Sequence, residues 1–183
     1  MGKKRVFAAL LALAVTVGSL VLPARAAFTD TTGHWAETAI TKWSEEYSII
    51  NGYEDGTFRP DNSITRGAFA GILDRFLKFQ STSPAGTFSD LSGNYWEDAI
   101  HASGVYLGNN GQALAGDTIP RQQAVTMIAR AFNISGESAT VYYLDADQVA
   151  DYAKPYLAEM SALGYITDSS DGYFRPTDAI TRA

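Results

Sequence analysis

An internal repeat constrains the fold of this chain more than any other feature of its sequence. Phe-Thr-Asp at 28–30 recurs as Phe-Ser-Asp at 88–90, and Phe-Arg-Pro at 58–60 recurs unchanged at 174–176. A third opening, Leu-Asp, lies at 144–145. Ordered landmarks that recur along one chain indicate a tandem array, in which each unit buries its apolar face against its neighbours.

The landmarks divide the chain into a first unit (27–83), a second unit (84–139) with a divergent loop, and a third unit (140–183). Each unit has the pattern of a helix, a loop and a second helix. The second helix of the first unit carries apolar residues at the spacing of an amphipathic helix, namely Phe69, Ile72, Leu73, Phe76 and Leu77. The third unit ends before its second helix, which we interpret as truncation of a longer protein. The sequence predicts an all-α fold.

The first 26 residues have the pattern of a secretory signal peptide. A basic start is followed by a long apolar run and an Ala-x-Ala sequence that ends at Ala26. An uncleaved membrane anchor is the alternative interpretation. Cleavage removes four of the fourteen basic residues and none of the twenty acidic ones, so the exported chain would have a net charge of −10.

Composition excludes several classes of function. The chain has no Cys, so thiol catalysis, disulfides and zinc–thiolate sites are absent. A sequence pI of about 4.8 argues against nucleic-acid binding, which usually requires a basic patch. His34 and His101 are the only histidines. We therefore expect no cofactor, no metal site and no catalysis in these residues, and we expect any catalytic domain to lie in the missing C-terminal part.

The landmarks together resemble the S-layer homology domain. They are the Phe-x-Asp opening, Trp35-Ala36, the loop at 52–60 that reads Gly-Tyr-x-Asp-Gly-x-Phe-Arg-Pro, and Ile64-Thr65-Arg66. The resemblance covers 28–183. The Glu that usually ends the family's Thr-Arg-Ala-Glu motif is absent from the first two units, and the third ends before that position.

The resemblance implies both a fold and a function. Three such repeats form a pseudo-threefold bundle whose inter-repeat grooves bind secondary cell-wall polysaccharide, often through a pyruvate ketal, or in some bacteria peptidoglycan. The implied role is non-covalent anchoring of an exported protein at the cell wall or in an S-layer, with no membrane contact after signal cleavage.

The candidate glycan-binding residues centre on an arginine beside each second-helix start. Arg66, Arg121 and Arg182 would join unpaired helix-start amides in holding a carboxylate. The alternative is a structural bridge from these arginines to Asp30, Asp90 or Asp145. The remaining candidates are Trp35 and Trp96, which stack on sugar or pack in the core, Asp30 and Asp90, which orient the arginines, and Gly52 and Tyr53 of the first loop.

Three other functions remain open from the sequence. A protein–protein or lattice-assembly module would also suit exposed aromatic residues. A calcium site would use Asp168 and Asp171, but the spacing to Gly172 and the lack of a later Glu do not fit an EF-hand. A glycoside hydrolase would need paired carboxylates. The recurring helix-start arginine favours glycan binding.

Overall fold

The computed structural model describes residues 28–79, 88–91, 100, 105–135, 140, 142–167 and 170–183. Its helices in this part of the chain are α1 (Glu37–Thr41), which continues as a π-helix (Lys42–Glu46), α2 (Arg66–Leu77), α3 (Arg121–Ala131) and α4 (Lys154–Ala162), with a 3-10 turn at Ala146–Gln148. Within these residues, no helix combines the length and apolar character that crossing a membrane requires. The predicted signal peptide, 1–26, lies outside the described residues.

The starts of α2 and α3 follow from local capping chemistry. Thr65 precedes α2, and its hydroxyl accepts a hydrogen bond from the Ala68 amide at 3.3 Å, as an N-cap does. Pro120 occupies the N-cap position of α3 in an extended conformation. Proline suits this place since its fixed φ and missing donor cost the helix nothing.

The buried face of α2 differs from the predicted apolar stripe. Gly67, Ala70, Gly71 and Leu73 are its buried residues, whereas Phe76 is 43% exposed. Small residues allow the backbone of α2 to approach its neighbours closely, and the larger apolar side chains lie at the margins of the contact. Periodicity therefore predicted the helix correctly but only part of its buried face.

Backbone hydrogen bonds join the three units in a closed ring. The Ile64 amide donates to the Ile180 carbonyl (3.1 Å), Ile180 donates to Ile119 (3.2 Å), and Ile119 donates to Ile64 (3.0 Å). Ile119 is fully buried and Ile64 is 3% exposed. Each unit is thus a donor to one neighbour and an acceptor from the other, so buried backbone groups are satisfied without an open edge.

A second set of backbone hydrogen bonds surrounds this ring. The amide of the arginine two residues after each of these isoleucines donates to a carbonyl of the next unit around the ring. The pairs are Arg66 with Asp117, Arg121 with Asp178, and Arg182 with Asn62, each 2.9 Å long. Among the described residues, β-structure consists of isolated antiparallel bridges in this region, at Ser63–Thr181, Thr65–Thr118, Pro120–Ala179 and, within the second loop, Asn109–Gln112. Helical periodicity alone does not predict these bridges.

One aspartate near the start of each unit organises the loop of that unit. Its carboxylate accepts hydrogen bonds from two consecutive loop amides. These are the amides of Phe58 and Arg59 for Asp30 (2.7 and 2.7 Å), Ala113 and Leu114 for Asp90 (2.7 and 2.8 Å), and Phe174 and Arg175 for Asp145 (2.9 and 2.7 Å). The second amide belongs in each case to a left-handed residue, with φ of 58° at Arg59, 52° at Leu114 and 57° at Arg175. The carboxylate therefore holds a conformation that L-residues otherwise avoid.

The second loop keeps this backbone geometry although its sequence diverges. Gly56, Gly111 and Gly172 have φ of 79°, 76° and 80°. Each glycine carbonyl accepts a hydrogen bond from the amide of the residue that precedes the aspartate of its unit. These residues are Thr29, Ser89 and Leu144. Beneath the first and third loops, Phe58 is 1% and Phe174 4% exposed, so both rings fill the space under their loops.

The substitution Asp145→Asn tests whether the carboxylate holds the third loop. Asp145 is chosen because it is buried, so the loss of its hydrogen bonds should cost the most stability. Asp145 is 3% exposed, and an amide side chain cannot accept from both loop amides. We expect unfolding stability to fall by about 1.5–3 kcal/mol, as measured by urea denaturation. Asp151→Asn, at a 95%-exposed side chain, is the matched control. Equal losses in the two variants would contradict the anchoring role.

Acid is expected to weaken the same loops. Burial acts to raise the pKa of Asp30 and Asp90, but amide hydrogen bonds outweigh it and keep each pKa below 3.8. Hydrogen bonds from Thr57, and then from Arg59, lower the pKa of Asp55 from 3.8 to about 2. Because these carboxylates stabilise the fold only while ionised, their contribution is complete above about pH 4 and is lost as the pH falls towards their folded-state pKa values.

The urea midpoint should therefore fall between pH 4 and pH 2, and Asp55→Asn should reduce the size of that fall. A midpoint that stays constant over this range would contradict the assignment.

Candidate functional site

Two grooves of equivalent construction lie where the units meet. Groove A has a volume of about 450 Å³ and is lined by the loop of the second unit (105–114), by α3 and by Arg66 of the first unit. Groove B, about 390 Å³, is lined by the first loop (50–58), by α2 and by Arg182 of the third unit. In each groove one arginine, Arg66 or Arg182, comes from a different unit than the loop and the helix.

The helix residues that line the two grooves correspond one to one. Each pair is separated by the same interval along the chain. The pairs are Thr65 and Pro120, Ala68 and Gln123, Gly71 and Thr126, Ile72 and Met127, and Arg75 and Arg130. The two grooves are therefore copies of one site with different side chains.

Arg66 is fixed in the wall of groove A. Its Nε donates to Gln123 Oε1 at 2.7 Å, and its Nη1 lies 3.5 Å from Asp117 Oδ2. The side chain is 15% exposed, and Nη1 is buried with no hydrogen-bond partner in the described part of the chain. A buried guanidinium with unused donor capacity is costly unless an acceptor is supplied, and a carboxylate matches its planar fork.

Arg182 is fixed in groove B by different contacts. Its Nε donates to the Phe58 carbonyl at 2.8 Å, and Nη2 donates to the Asn51 carbonyl at 2.9 Å. The guanidinium lies 4.6 Å from the Phe58 ring and 4.9 Å from the Tyr53 ring. Tyr53 is 42% exposed at the groove edge. Arg182 thus orders the first loop while it also adds positive charge to the groove.

Arg121 lines neither groove. It is exposed, and its guanidinium lies 5.9 Å from the Phe174 ring of the third loop. Its relation to Phe174 matches that of Arg182 to Phe58. The structure therefore brings two of the three predicted arginines into the grooves.

The helix-start amides are not available to a ligand as predicted. The amides of Arg66 and Gly67 donate to carbonyls of the second unit, and those of Arg121 and Gln122 donate to carbonyls of the third, at 2.9–3.0 Å. These are the amides that a helix leaves unpaired at its start. That part of the prediction is wrong, because contacts between units use the donors and leave the arginine side chains as the anion-binding groups.

Asp30 and Asp90 accept loop amides, and among the ion pairs of the described residues none joins them or Asp145 to Arg66, Arg121 or Arg182. The predicted structural bridge is therefore wrong. The acidic partner of Arg66 is Asp117.

Trp35 and Gly52 differ in their surroundings. Trp35 is 79% exposed, so the interpretation of its ring as a core residue is wrong, although stacking on a sugar remains a prediction. Gly52 lines groove B, and a Cβ there would lie 2.1 Å from Phe28 Cε1 and 2.6 Å from the Thr57 carbonyl. Close approach, rather than a positive φ, requires this glycine. Trp96 lies outside the described residues.

Three groove A residues, Gln123, Arg130 and Tyr152, were missed by sequence reasoning, as was Arg75 in groove B. Arg75 and Arg130 stand at the same place in their helices, so the internal repeat contained the signal for both. Tyr152 comes from the third unit, and groove A is therefore built by all three units. Burial raises the pKa of Tyr152, while Arg66 and Arg130 act to lower it, so its hydroxyl lies within the field of both guanidiniums.

The third loop does not provide a metal site in its described part. Asp171 accepts a hydrogen bond from the Tyr173 amide at 3.1 Å and pairs with Arg175. No group of three or more His, Asp or Glu residues in the described ranges could hold a metal ion. Asp168 lies outside those ranges.

The model of the S-layer homology domain family matches residues 27–70 and 142–183. These two segments belong to that family, which confirms the resemblance predicted from the landmarks of the first and third units. The second unit, 84–139, rests on its sequence landmarks and on the hydrogen-bond geometry that it shares with the other two. S-layer homology domains are anchoring modules of surface proteins rather than catalytic ones.

Curated relatives share the region but are much longer. A surface-layer 125 kDa protein of Lysinibacillus sphaericus is 29% identical over 91% of this chain and 15% of its own length. A cellulosome-anchoring protein of Acetivibrio thermocellus is 34% identical over 53% of this chain and 24% of its own length. An amylopullulanase of Thermoanaerobacterium thermosulfurigenes is 26% identical over 85% of this chain and 9% of its own. This chain spans less than a quarter of each, so the similarity carries no activity from these proteins.

Gly52→Ala tests whether the loop of groove B depends on close backbone approach. The added Cβ would overlap the Phe28 ring and the Thr57 carbonyl, so we expect a stability loss of about 1–3 kcal/mol by thermal or urea unfolding. Gly116→Ala, where the Cβ meets open space, is the matched control and should change stability by less than about 0.5 kcal/mol. A neutral Gly52→Ala would show that the loop relaxes easily.

Proposed function

We propose that this chain anchors an exported protein non-covalently to the bacterial cell wall by binding anionic secondary cell-wall polysaccharide in grooves A and B. The observation that carries the proposal is Arg66 in groove A. Its guanidinium is largely buried and is held in place by Gln123, and its buried Nη1 lies 3.5 Å from Asp117 Oδ2 but makes no hydrogen bond in the described residues. The groove around it is large enough for sugar residues.

The chemistry of the grooves suits a carboxylate on a sugar, such as a pyruvate ketal. The exported chain is strongly acidic, so a generic anion is repelled at long range and a bound one needs specific compensation. A fixed guanidinium provides two parallel donors to a carboxylate in a partly dry site, where charge-assisted hydrogen bonds are strongest. Tyr53 in groove B and Tyr152 in groove A add an aromatic edge beside the guanidinium.

The family match supports the same function. Two of the three units belong to the S-layer homology family, and the names of two relatives place them in a surface layer and in cellulosome anchoring. We propose a pseudo-threefold arrangement of three repeats on an exported chain, with the signal peptide at 1–26, no catalytic role in 27–183, and a location at the cell wall. The two hydrogen-bond rings of the described residues support the threefold arrangement.

Contact with another protein is the second candidate function. An apolar depression of about 440 Å³ is lined by residues that include Trp35, Trp43, Phe76 and Phe132. Trp35 is 79% and Phe132 49% exposed, which favours a surface that another chain could cover. Concentration-dependent self-association in sedimentation velocity, without affinity for purified wall polysaccharide, would favour this alternative over glycan binding.

Arg66→Ala is the direct test of groove A. Loss of a charge-assisted contact should weaken binding by about 1.5–3 kcal/mol, or roughly ten- to a hundredfold in Kd for that groove. The measurement is calorimetric titration with purified secondary wall polysaccharide. Arg66→Lys should bind with intermediate affinity, because it keeps the charge but loses the planar fork.

Arg175→Ala is the matched control, since its guanidinium pairs with Asp171 in the third loop and lines neither groove. Unchanged affinity in a folded Arg66→Ala variant would contradict the assignment of Arg66.

A further inference from the structure

Each groove contains a second arginine that the family motif does not include. Arg130 of α3 lines groove A with Arg66, and Arg75 of α2 lines groove B with Arg182. We propose that Arg75 and Arg130 make a second anion contact, so that each groove recognises a saccharide with two anionic groups. This inference rests on the proposed function and specifies the charge pattern of the ligand.

Helix geometry places the two guanidiniums of groove A at separate points along the groove. Arg66 is bonded to the side chain of Gln123, in the first turn of α3. Arg130 follows Gln123 by two turns, so it lies on the same helix face about 10 Å further along the axis. One compact carboxylate cannot fill both positions, whereas two charges along an extended glycan can.

The guanidiniums of Arg66 and Arg130 both act on the same neighbouring side chain, Tyr152. Tyr152, at the edge of groove A, experiences the electrostatic influence of both Arg66 and Arg130, each of which opposes the effect of burial on its pKa. Arg66, Arg130 and Tyr152 all line groove A. A ligand that spans the groove would meet Arg66, Tyr152 and Arg130 in one continuous surface.

Arg75 and Arg130 are each held by a hydrogen bond from Nε, which leaves their Nη nitrogens available to a ligand. Arg75 donates through Nε to the Ile49 carbonyl at 2.6 Å. Arg130 donates through Nε to the Tyr156 hydroxyl at 3.3 Å, and its guanidinium lies 5.0 Å from that ring. Among the described residues, the Nη nitrogens of Arg75 and Arg130 make no hydrogen bond. Each side chain is thus oriented by one contact while its terminal donors remain for a ligand.

Charge in the grooves contrasts with charge over the whole chain. The described residues that line grooves A and B include four arginines and no Asp or Glu. The exported chain, by contrast, has twice as many acidic as basic residues. The same two-arginine arrangement occurs in two grooves built from different units. If these arginines served only to keep the helix surfaces soluble, there would be no reason for them to line grooves that contain no Asp or Glu.

The test uses secondary wall polysaccharide fragments released by mild acid and sorted by anion exchange into size-matched pools with one or two negative charges. We expect the whole chain to bind the doubly charged pool at least tenfold more tightly in calorimetric titration. In the double variant Arg75→Gln/Arg130→Gln the ratio of the two affinities should fall to about one. Arg175→Gln, which removes a guanidinium outside both grooves, should keep the preference.

The outcomes separate this inference from the proposed function. Equal affinity of the parent chain for the two pools, with loss of binding in Arg66→Ala, would overturn the second anion contact and leave glycan anchoring intact. A preference that persists in the folded double variant would overturn it as well. If neither pool binds the parent chain, the proposed function fails and the inference fails with it. The parent comparison does not depend on the folding of any variant.

Discussion

The ring of hydrogen bonds between Ile64, Ile119 and Ile180 is the contact on which the rest of the structure depends. These backbone groups are far apart in sequence and meet in the interior, where an unpaired amide or carbonyl would be costly. Once the ring closes, the arginine that follows two residues after each isoleucine is brought against a neighbouring unit. Grooves A and B therefore form only when the ring closes, because Arg66 or Arg182 comes from one unit and the loop and helix come from another.

The loops that face these grooves are fixed by a different interaction. A carboxylate accepts two consecutive amides and holds a left-handed residue at the second of them. This arrangement depends on the backbone, which explains why the second loop tolerates Ala113-Leu114 where the first has Phe58-Arg59. The side chains differ, and so do the contacts of the groove arginine: Arg182 is bonded to loop carbonyls, whereas Arg66 is bonded to Gln123. One backbone design thus provides two grooves of different chemistry.

The sequence allowed the division into three units, the second helix of the first unit, and the family of the first and third units to be predicted. These features depend on helical periodicity or on repeated landmarks. The roles of Asp30 and of the helix-start amides could not be predicted, because both depend on partners that only the closed ring brings near. The core alternative for Trp35 fails because α1 begins two residues later and the ring lies at the surface. Arg75 and Arg130 could have been found by comparing the repeats beyond their helix starts.

We propose that the folded chain attaches to the wall through polysaccharide rather than through peptidoglycan or another protein. Co-sedimentation of the protein with purified cell walls tests it most directly, with half of the walls first stripped of secondary polysaccharide by acid extraction. We expect the protein to sediment with intact walls and to stay in solution with stripped ones. Equal sedimentation with both wall preparations, or no sedimentation with either, would contradict it.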